Sequence, residues 1–170
     1  NLMRNEFGFE RWQDWDVELF EKIEDSLLSK TRDFHYKIMG FDKSPSAVEK
    51  ANQNVENAKL EDFIYIKHED FFKTQKGGDA HLHMVFNPPY GERLDIEMES
   101  FYGSIGSTLK HKYPGTNAWM ISSNMEALKH IGLRPSRKIK LFNAKLESKF
   151  VKYEMYEGTK KTHKLASKND

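Results

Sequence analysis

The sequence predicts an α/β protein in which strands and helices alternate and most strands of the sheet run parallel. Two observations carry this prediction: short apolar runs recur between segments of helical periodicity, and those segments have recognisable helix caps. The last two apolar runs follow each other without a helix and indicate an antiparallel hairpin. With 170 residues, 38% of them hydrophobic, the chain is long enough for one domain with a single core.

The first helix is expected to extend to about Lys30. Apolar residues recur at a spacing of four from Trp15 to Leu27, with acidic residues between them. Either Asp14 or Asp16 can cap its start.

Residues 34–42 are predicted to form a buried strand, and a helix follows them directly. Ser44 can cap this helix with Pro45 at its first position, or Ser46 can pair with Glu49 as a capping box. The sequence leaves both alternatives open.

Three further strands and two helices are expected downstream. The strands cover residues 62–72, 81–89 and 117–123, and the helices cover about 96–112 and the short segment 124–132. The longer helix has Phe101, Ile105 and Leu109 on one face. Asn124 is expected to cap the shorter helix and Gly132 to stop it.

The chain closes with two strands joined around Asn143 and Ala144. A polar, lysine-rich tail follows and is predicted to be disordered. The folded part is thus expected to span residues 1–157 and the tail residues 158–170.

Composition and charge limit the function classes. The chain has no run of about 18 apolar residues and no cysteine, which argues against a membrane span, disulfides and thiolate metal sites and favours a cytoplasmic location. Residues 1–103 carry a net charge of −8, and residues 104–170 carry +9. This asymmetry indicates either a polyanionic partner or two solvated faces that attract each other.

An unusual segment, Asn87-Pro88-Pro89-Tyr90, follows the apolar run that ends at Phe86. Proline cannot continue a sheet ladder, and the residue before a proline is pushed into extended geometry. The backbone here is therefore stiff, and it holds Asn87 and Tyr90 in fixed positions. A binding or catalytic loop needs this rigidity, but an abrupt strand end has it too.

Five segments carry a resemblance that covers nearly the whole chain. They are FNPPYGERL (86–94), GFDKSPSAVEKA (40–51), HEDFF (68–72), FGFERWQDWD (7–16) and RPSRKIKLFNAKLESKFVKYEMYEG (134–158). Together they resemble the class I, S-adenosylmethionine-dependent amino-methyltransferases, in particular the 23S ribosomal RNA guanine-N2 methyltransferases, formerly described as N6-adenine-specific DNA methylases. Asn-Pro-Pro-Tyr alone is also shared by adenine-N6, cytosine-N4 and glutamine methyltransferases.

The resemblance implies a Rossmann-like class I methyltransferase sheet with a C-terminal antiparallel hairpin. The family's first, central strand and its glycine-rich loop are expected upstream of residue 1. We therefore expect these 170 residues to be the C-terminal part of a catalytic domain that alone binds the cofactor weakly and does not turn over. Strands 34–42 and 81–89 would each have an unpaired edge, which a preceding part of the same protein or another chain would complete.

The resemblance also implies residues that bind S-adenosylmethionine. Asp42 matches the acceptor of the ribose hydroxyls, and Lys43 lies beside it. Asp70 matches the residue that contacts the adenine amine, with Phe71 as a stacking wall. The alternative for Asp42 is a cap on the following helix, and for Asp70 a solvent-facing acid.

For the reaction itself, Asn87 and the Pro88 carbonyl match the acceptors of the target amine. Asn87 also adjoins the cofactor, Pro89 stiffens the segment, and Tyr90 matches the ring that stacks on the target base. A base inside a duplex could not reach this segment, so the target guanine must be unpaired or flipped.

Basic residues are the candidates for RNA contact. Arg93 can bind phosphate or pair with Glu92 or Asp95, and Arg137 and Lys138 can contact the RNA backbone or belong to a solvated hairpin. Two other functions stay open: an adenine-N6 methyltransferase on DNA or RNA, and a non-catalytic nucleic-acid-binding module. No metal site is expected.

Overall fold

The computed structural model describes residues 6–89, 97–143 and 145–156. Its contacts divide the chain into two compact units, residues 1–71 (unit 1) and residues 72–170 (unit 2). The predicted tail, residues 158–170, lies outside the described residues.

Unit 1 begins with a short 3-10 turn and the helix α1 (Val17–Leu28). The cap is Asp16, whose Oδ1 accepts a hydrogen bond from the Leu19 N–H (2.9 Å). Trp15, predicted as the first apolar position of the helix, lies just before it instead. Its ring packs against Phe20, with ring centres 5.1 Å apart.

The sheet of unit 1 consists of β1 (Ile38–Asp42) and β2 (Ile64–His68), which pair in parallel. The helix α2 (Pro45–Asn57) connects them and packs on both strands. Ser44 is its cap: Ser44 Oγ accepts from the Ala47 N–H (3.4 Å), so the first of the two predicted caps is the one formed.

The predicted burial of the first strand is wrong. β1 starts only at Ile38, and Ile38, Met39 and Phe41 are each about half exposed, at 50%, 52% and 47%. Among the described residues, β1 has a hydrogen-bonded neighbour along one edge only, so much of its side-chain surface stays accessible.

Unit 2 contains a four-stranded mixed sheet. Its strands are β3 (Leu82–Phe86), β4 (Thr116–Ser122), β5 (Arg137–Asn143) and β6 (Leu146–Glu154), in the order β3-β4-β6-β5. β3 and β4 pair in parallel, whereas β6 runs antiparallel to both β4 and β5. Each strand lies within one or two residues of its predicted bounds, except that β3 ends three residues earlier, before the two prolines.

The helix α3 (Met98–Lys112) packs against this sheet and forms a core with it. Of the three residues predicted on one face of α3, Ile105 and Leu109 are buried, whereas Phe101 is only half-buried and the next residue, Tyr102, is fully buried. The largest fully buried side chains of this core are Tyr102, Tyr153, Ile105, Leu109, Met120 and Val151.

α3 also packs closely on a 3-10 helix, Ala127–Ile131. A methyl group added at Gly106 would lie only 1.7 Å from the Ile131 carbonyl oxygen, so this contact requires glycine. The 3-10 helix ends at Gly132, which has a φ of +69°. The predicted stop at this glycine is confirmed.

Candidate functional site

The carboxyl ends of β1 and β2 place Asp42 directly opposite His68. Asp42 Oδ1 accepts a hydrogen bond from the Ser44 N–H (2.7 Å) and so shapes the turn into α2. The described residues donate no hydrogen bond to its other oxygen, Oδ2. Asp42 thus orders the turn before α2, whose cap is Ser44, while Asp42 Oδ2 can still accept a further donor.

His68 joins the two strand ends, a role that sequence reasoning missed. Its Nε2 lies 2.9 Å from the Lys43 carbonyl oxygen. Because a carbonyl can only accept, Nε2 must carry the proton. The only signal in the sequence was the position of His68 at a strand end, beside the acidic pair Glu69-Asp70.

The remaining predicted cofactor residues follow β2. Asp70 is half-buried and lies two residues past the strand end, and Phe71 is half-buried at the start of a 3-10 turn, Phe71–Lys73. Unit 1 thus contains Asp42, Lys43, Asp70 and Phe71 in the segments that leave the carboxyl ends of neighbouring parallel strands, where doubly wound folds bind ligands.

The segment Asn87-Pro88-Pro89 leaves the carboxyl end of β3 in unit 2. Asn87 is exposed, Pro88 is buried and Pro89 is half-buried. The amide of Asn87 is thus accessible on a backbone whose next residue is packed inside.

A buried chain of hydrogen bonds reaches this segment. The Tyr102 hydroxyl donates to the Pro89 carbonyl oxygen (3.2 Å) and lies 2.9 Å from Ser122 Oγ. Ser122 is the last residue of β4, and its Oγ accepts from the Asn124 N–H (3.1 Å). Tyr102 and Ser122 are both 0% exposed. Sequence reasoning named neither residue.

A second tyrosine lies in the same core. Burial raises the pKa of Tyr153 to about 12, and electrostatic interaction with Tyr102 adds to this shift. The surroundings thus disfavour a phenolate, and Tyr153 keeps its proton throughout the physiological range.

Two predicted site residues, Tyr90 and Arg93, lie outside the described residues. The same holds for Glu92 and Asp95, the predicted partners of Arg93.

Arg137 and Lys138 are exposed neighbours on β5, and their side chains point to opposite faces of the sheet. Arg137 is paired with Lys152, Lys152 with Trp119, and Trp119 with Val85, which is two residues before Asn87. This row crosses three strand spacings, so the backbones of Arg137 and Val85 are about 14 Å apart.

The face that carries Lys138 also carries Lys140 and Phe142. Lys140 Nζ lies 5.1 Å from the centre of the Phe142 ring and 2.7 Å from Glu147 Oε2. Phe142 is 63% exposed, and Lys149 is directly opposite Lys140 on β6. An aromatic ring beside lysines is the combination that single-stranded nucleic acids bind.

Within residues 6–89, 97–143 and 145–156, no three His, Asp or Glu side chains come together in a metal-binding arrangement. None of the helices in this described part combines the length and apolar content needed to cross a membrane.

Comparisons with known proteins agree with the fold. Residues 2–152 match the family described as "RMKL-like, methyltransferase domain". The ribosomal RNA large subunit methyltransferase K/L of Shewanella frigidimarina is 32% identical over 163 residues, covering 91% of this chain and 22% of the relative. The protein of the same name from Hahella chejuensis is 32% identical over 165 residues, covering 91% of this chain and 23% of the relative.

The chain thus spans about a fifth of the length of these curated relatives. The methyltransferase SMU.472, crystallised with SAH, has the same fold: its TM-score is 0.77 at 24% identity, covering 91% of this chain and 41% of that chain. From the family match over most of its residues and the identity to these relatives, the chain belongs to the RMKL-like methyltransferase domain family.

Proposed function

We propose that this chain takes part in transferring a methyl group from S-adenosylmethionine to the exocyclic N2 amine of a guanine in 23S ribosomal RNA. The observation that supports this most strongly is the exposed amide of Asn87, which directly follows a strand and precedes a buried proline. The amide oxygen and the Pro88 carbonyl are two acceptors on one stiff backbone segment.

Two such acceptors suit an aromatic amine, which is a poor nucleophile because its lone pair is delocalised into the ring. Hydrogen bonds from both amine hydrogens favour a pyramidal nitrogen and aim the lone pair. The cofactor supplies a methyl group that is already activated by the sulfonium. The chain then needs to orient the amine and exclude misaligned approaches, and such positioning can supply much of the rate enhancement.

For the cofactor, we propose the residues at the carboxyl ends of β1 and β2. Asp42 Oδ2, which accepts no hydrogen bond from the described residues, fits a ribose hydroxyl donor. Lys43 lies beside it, Asp70 would accept from the adenine amine, and Phe71 would stack on the adenine.

Ribosomal RNA as the substrate class is supported by the curated relatives, which are large-subunit ribosomal RNA methyltransferases. Tyr90 as the base-stacking ring and Arg93 as a phosphate ligand remain predictions. Arg137 and Lys138 lie on opposite faces of β5, so we place the main RNA contact on the face of Lys138, with Lys140 and Phe142.

The completing segment also remains a prediction. A strand and a glycine-rich loop encoded upstream of Asn1 would support the proposed cofactor site, and reading that sequence tests it.

Methyl transfer from labelled cofactor to ribosomal RNA by the full-length protein, followed by nucleoside analysis, tests the reaction. Label in N2-methylguanosine is expected. Label in N6-methyladenosine would support the adenine alternative, and RNA binding without transfer would support the non-catalytic alternative.

Replacing Asn87 with alanine tests its role. The variant is expected to lower transfer by at least about 100-fold, because one of two positioned acceptors is lost, while cofactor affinity stays nearly unchanged. Asn117→Ala, on β4, is the matched control and should leave transfer unchanged. Equal losses of transfer and cofactor affinity in Asn87→Ala would contradict the assigned role.

RNA affinity measured as a function of salt concentration tests whether the β5–β6 hairpin binds RNA. The double variant Lys138→Gln, Lys140→Gln should weaken binding and reduce the slope of log K against log salt by about 1 to 2. Lys37→Gln in unit 1, whose lysine lies over the Tyr65 ring in a similar pair (5.0 Å), is the control. An unchanged slope in the double variant would remove the hairpin from the RNA interface.

A further inference from the structure

We infer that Tyr102 and Ser122 are positioning residues that hold the Asn87-Pro88-Pro89 segment in place through a hydrogen-bond chain whose direction is fixed. This inference deepens the proposed function, because it assigns the support of the proposed amine-binding segment to two buried hydroxyl groups in unit 2.

The direction of the chain follows from its two ends. The Pro89 carbonyl can only accept, so the single proton of the Tyr102 hydroxyl points to it. The Ser122 hydroxyl must then donate to the Tyr102 oxygen, 2.9 Å away. Ser122 Oγ in turn accepts from the Asn124 N–H, which can only donate. Each hydroxyl therefore has one orientation, and successive hydrogen bonds of this kind polarise one another.

The two prolines explain why the attachment is made through a carbonyl group. Pro88 and Pro89 have no N–H, so this part of the backbone cannot be held by donating hydrogen bonds. Their rings already fix φ. A hydrogen bond to the Pro89 carbonyl restrains the adjoining ψ angle, so little rotational freedom remains between β3 and residue 89.

The Ser122 end of the hydrogen-bond chain is also held firmly in the fold. Ser122 ends β4, which is paired on both sides, by β3 and β6. Asn124 Oδ1 accepts from the Ala127 N–H (2.9 Å) and so ties the same turn to the start of the 3-10 helix. The segment is therefore connected, through Tyr102, to the most deeply buried part of unit 2.

A positioning role predicts an effect on the rate of transfer and not on cofactor affinity. Displacing a reacting group by about 1 Å can cost on the order of 100-fold in rate. If the two hydroxyls only satisfied each other inside the core, their removal would change stability alone.

Tyr102→Phe removes the hydroxyl and keeps the ring. Tyr113→Phe is the matched control. Tyr113 is also buried (6% exposed), and its hydroxyl pairs with Thr74 Oγ1 (2.5 Å). Tyr113 follows Tyr102 by eleven residues, which places it about 16 Å away along the helix axis. In the full-length protein, both variants should lower Tm by similar amounts. Tyr102→Phe should also lower kcat roughly 10- to 100-fold with unchanged cofactor Kd, whereas Tyr113→Phe should leave kcat unchanged.

Ser122→Ala leaves the Tyr102–Pro89 hydrogen bond in place but removes the donor that polarises it. We expect a smaller loss of kcat than in Tyr102→Phe. A kcat loss in Tyr102→Phe no larger than that in Tyr113→Phe would overturn the inference.

A second readout does not depend on methyl transfer. Pro89-Tyr90 is the only Pro-Tyr pair in the 170 residues. In protein labelled with ¹³C-carbonyl proline and ¹⁵N-tyrosine, the Pro89 carbonyl signal is therefore identified as the one that Tyr90→Phe removes. Its chemical shift should change in Tyr102→Phe and not in Tyr113→Phe. If the wild-type protein transfers no methyl group, the proposed function fails and this shift alone decides; an unchanged shift in Tyr102→Phe overturns the positioning role.

Discussion

The two units differ in how they bury their side chains. Every described residue that is buried belongs to unit 2, and unit 1 has none, although it contains two capped helices and a parallel strand pair. In unit 2, α3 packs on the 3-10 helix, and its buried residues form a core with those of β4 and β6. Caps and periodicity therefore determine where helices and strands form, whereas burial depends on how many elements pack against each of them.

The units also differ in charge. Residues 1–71 contain 16 acidic and 10 basic residues, a net charge of −6, and residues 72–170 contain 10 acidic and 17 basic residues, a net charge of +7. The proposed RNA-binding face lies in the basic unit, as expected for contact with a polyanion.

The largest expected effect concerns the difference in burial between the two units. It is tested by replacing one leucine with alanine in each unit. Leu109→Ala, at a 0% exposed position of α3, should lower the free energy of unfolding by about 3 to 5 kcal/mol. Leu19→Ala, at a 53% exposed position of α1, should cost less than about 1 kcal/mol. Urea unfolding of both variants measures this, and equal losses would contradict the difference between the units.

The next effect tests how tightly unit 2 is packed. Gly106→Ala would place a methyl group 1.7 Å from the Ile131 carbonyl oxygen, so the backbone must shift at a cost of about 2 to 3 kcal/mol. Gly103→Ala, one turn earlier on the same helix, meets its nearest atom at 3.6 Å and should stabilise the helix by up to about 1 kcal/mol. Thermal unfolding compares them; similar changes in Tm would show that α3 can move away from the 3-10 helix.

The smallest effect concerns pH. Hydrogen bonds from Lys152 (2.7 Å) and Tyr156 (2.9 Å) lower the pKa of Glu154 in unit 2. A carboxyl group whose pKa is lower in the folded than in the unfolded state stabilises the fold at pH values above its unfolded-state pKa. This stabilisation is lost as the pH falls through the folded-state pKa. Because the pair is partly exposed, we expect less than about 1 kcal/mol.

Urea unfolding between pH 5 and pH 3 measures this contribution, and Glu154→Gln should flatten the pH dependence in that window. Glu126→Gln is the comparison: a hydrogen bond from Lys129 also lowers the pKa of Glu126, but this pair is more exposed and the variant should flatten the profile less. A steeper profile in Glu154→Gln would contradict the assignment.

Much of the local structure could be predicted from the sequence. Ser44, Asn124 and Gly132 mark helix ends through chemistry that operates within a few residues, so the sequence pattern indicates them directly. The position of Asn87 after a strand also follows from the prolines.

Other features depend on contacts between distant parts of the chain. Tyr102 rather than Phe101 is fully buried, and its hydroxyl donates to the Pro89 carbonyl and accepts from Ser122, twenty residues later. His68 is joined to Lys43 across 25 residues. Periodicity describes a helix or strand alone, so it cannot show which polar group on a neighbouring element a side chain will reach.

β5 is an outer strand of the sheet in unit 2, with one edge that has no strand neighbour among the described residues. The unpaired N–H and C=O groups of such an edge can pair with a second copy of the chain and start aggregation. Arg137, Lys138 and Lys140 place positive charge along this edge, and like charges on two copies repel. We therefore expect the lysines proposed for RNA binding also to oppose self-association, so neutralised variants should become turbid at lower protein concentrations than the native chain.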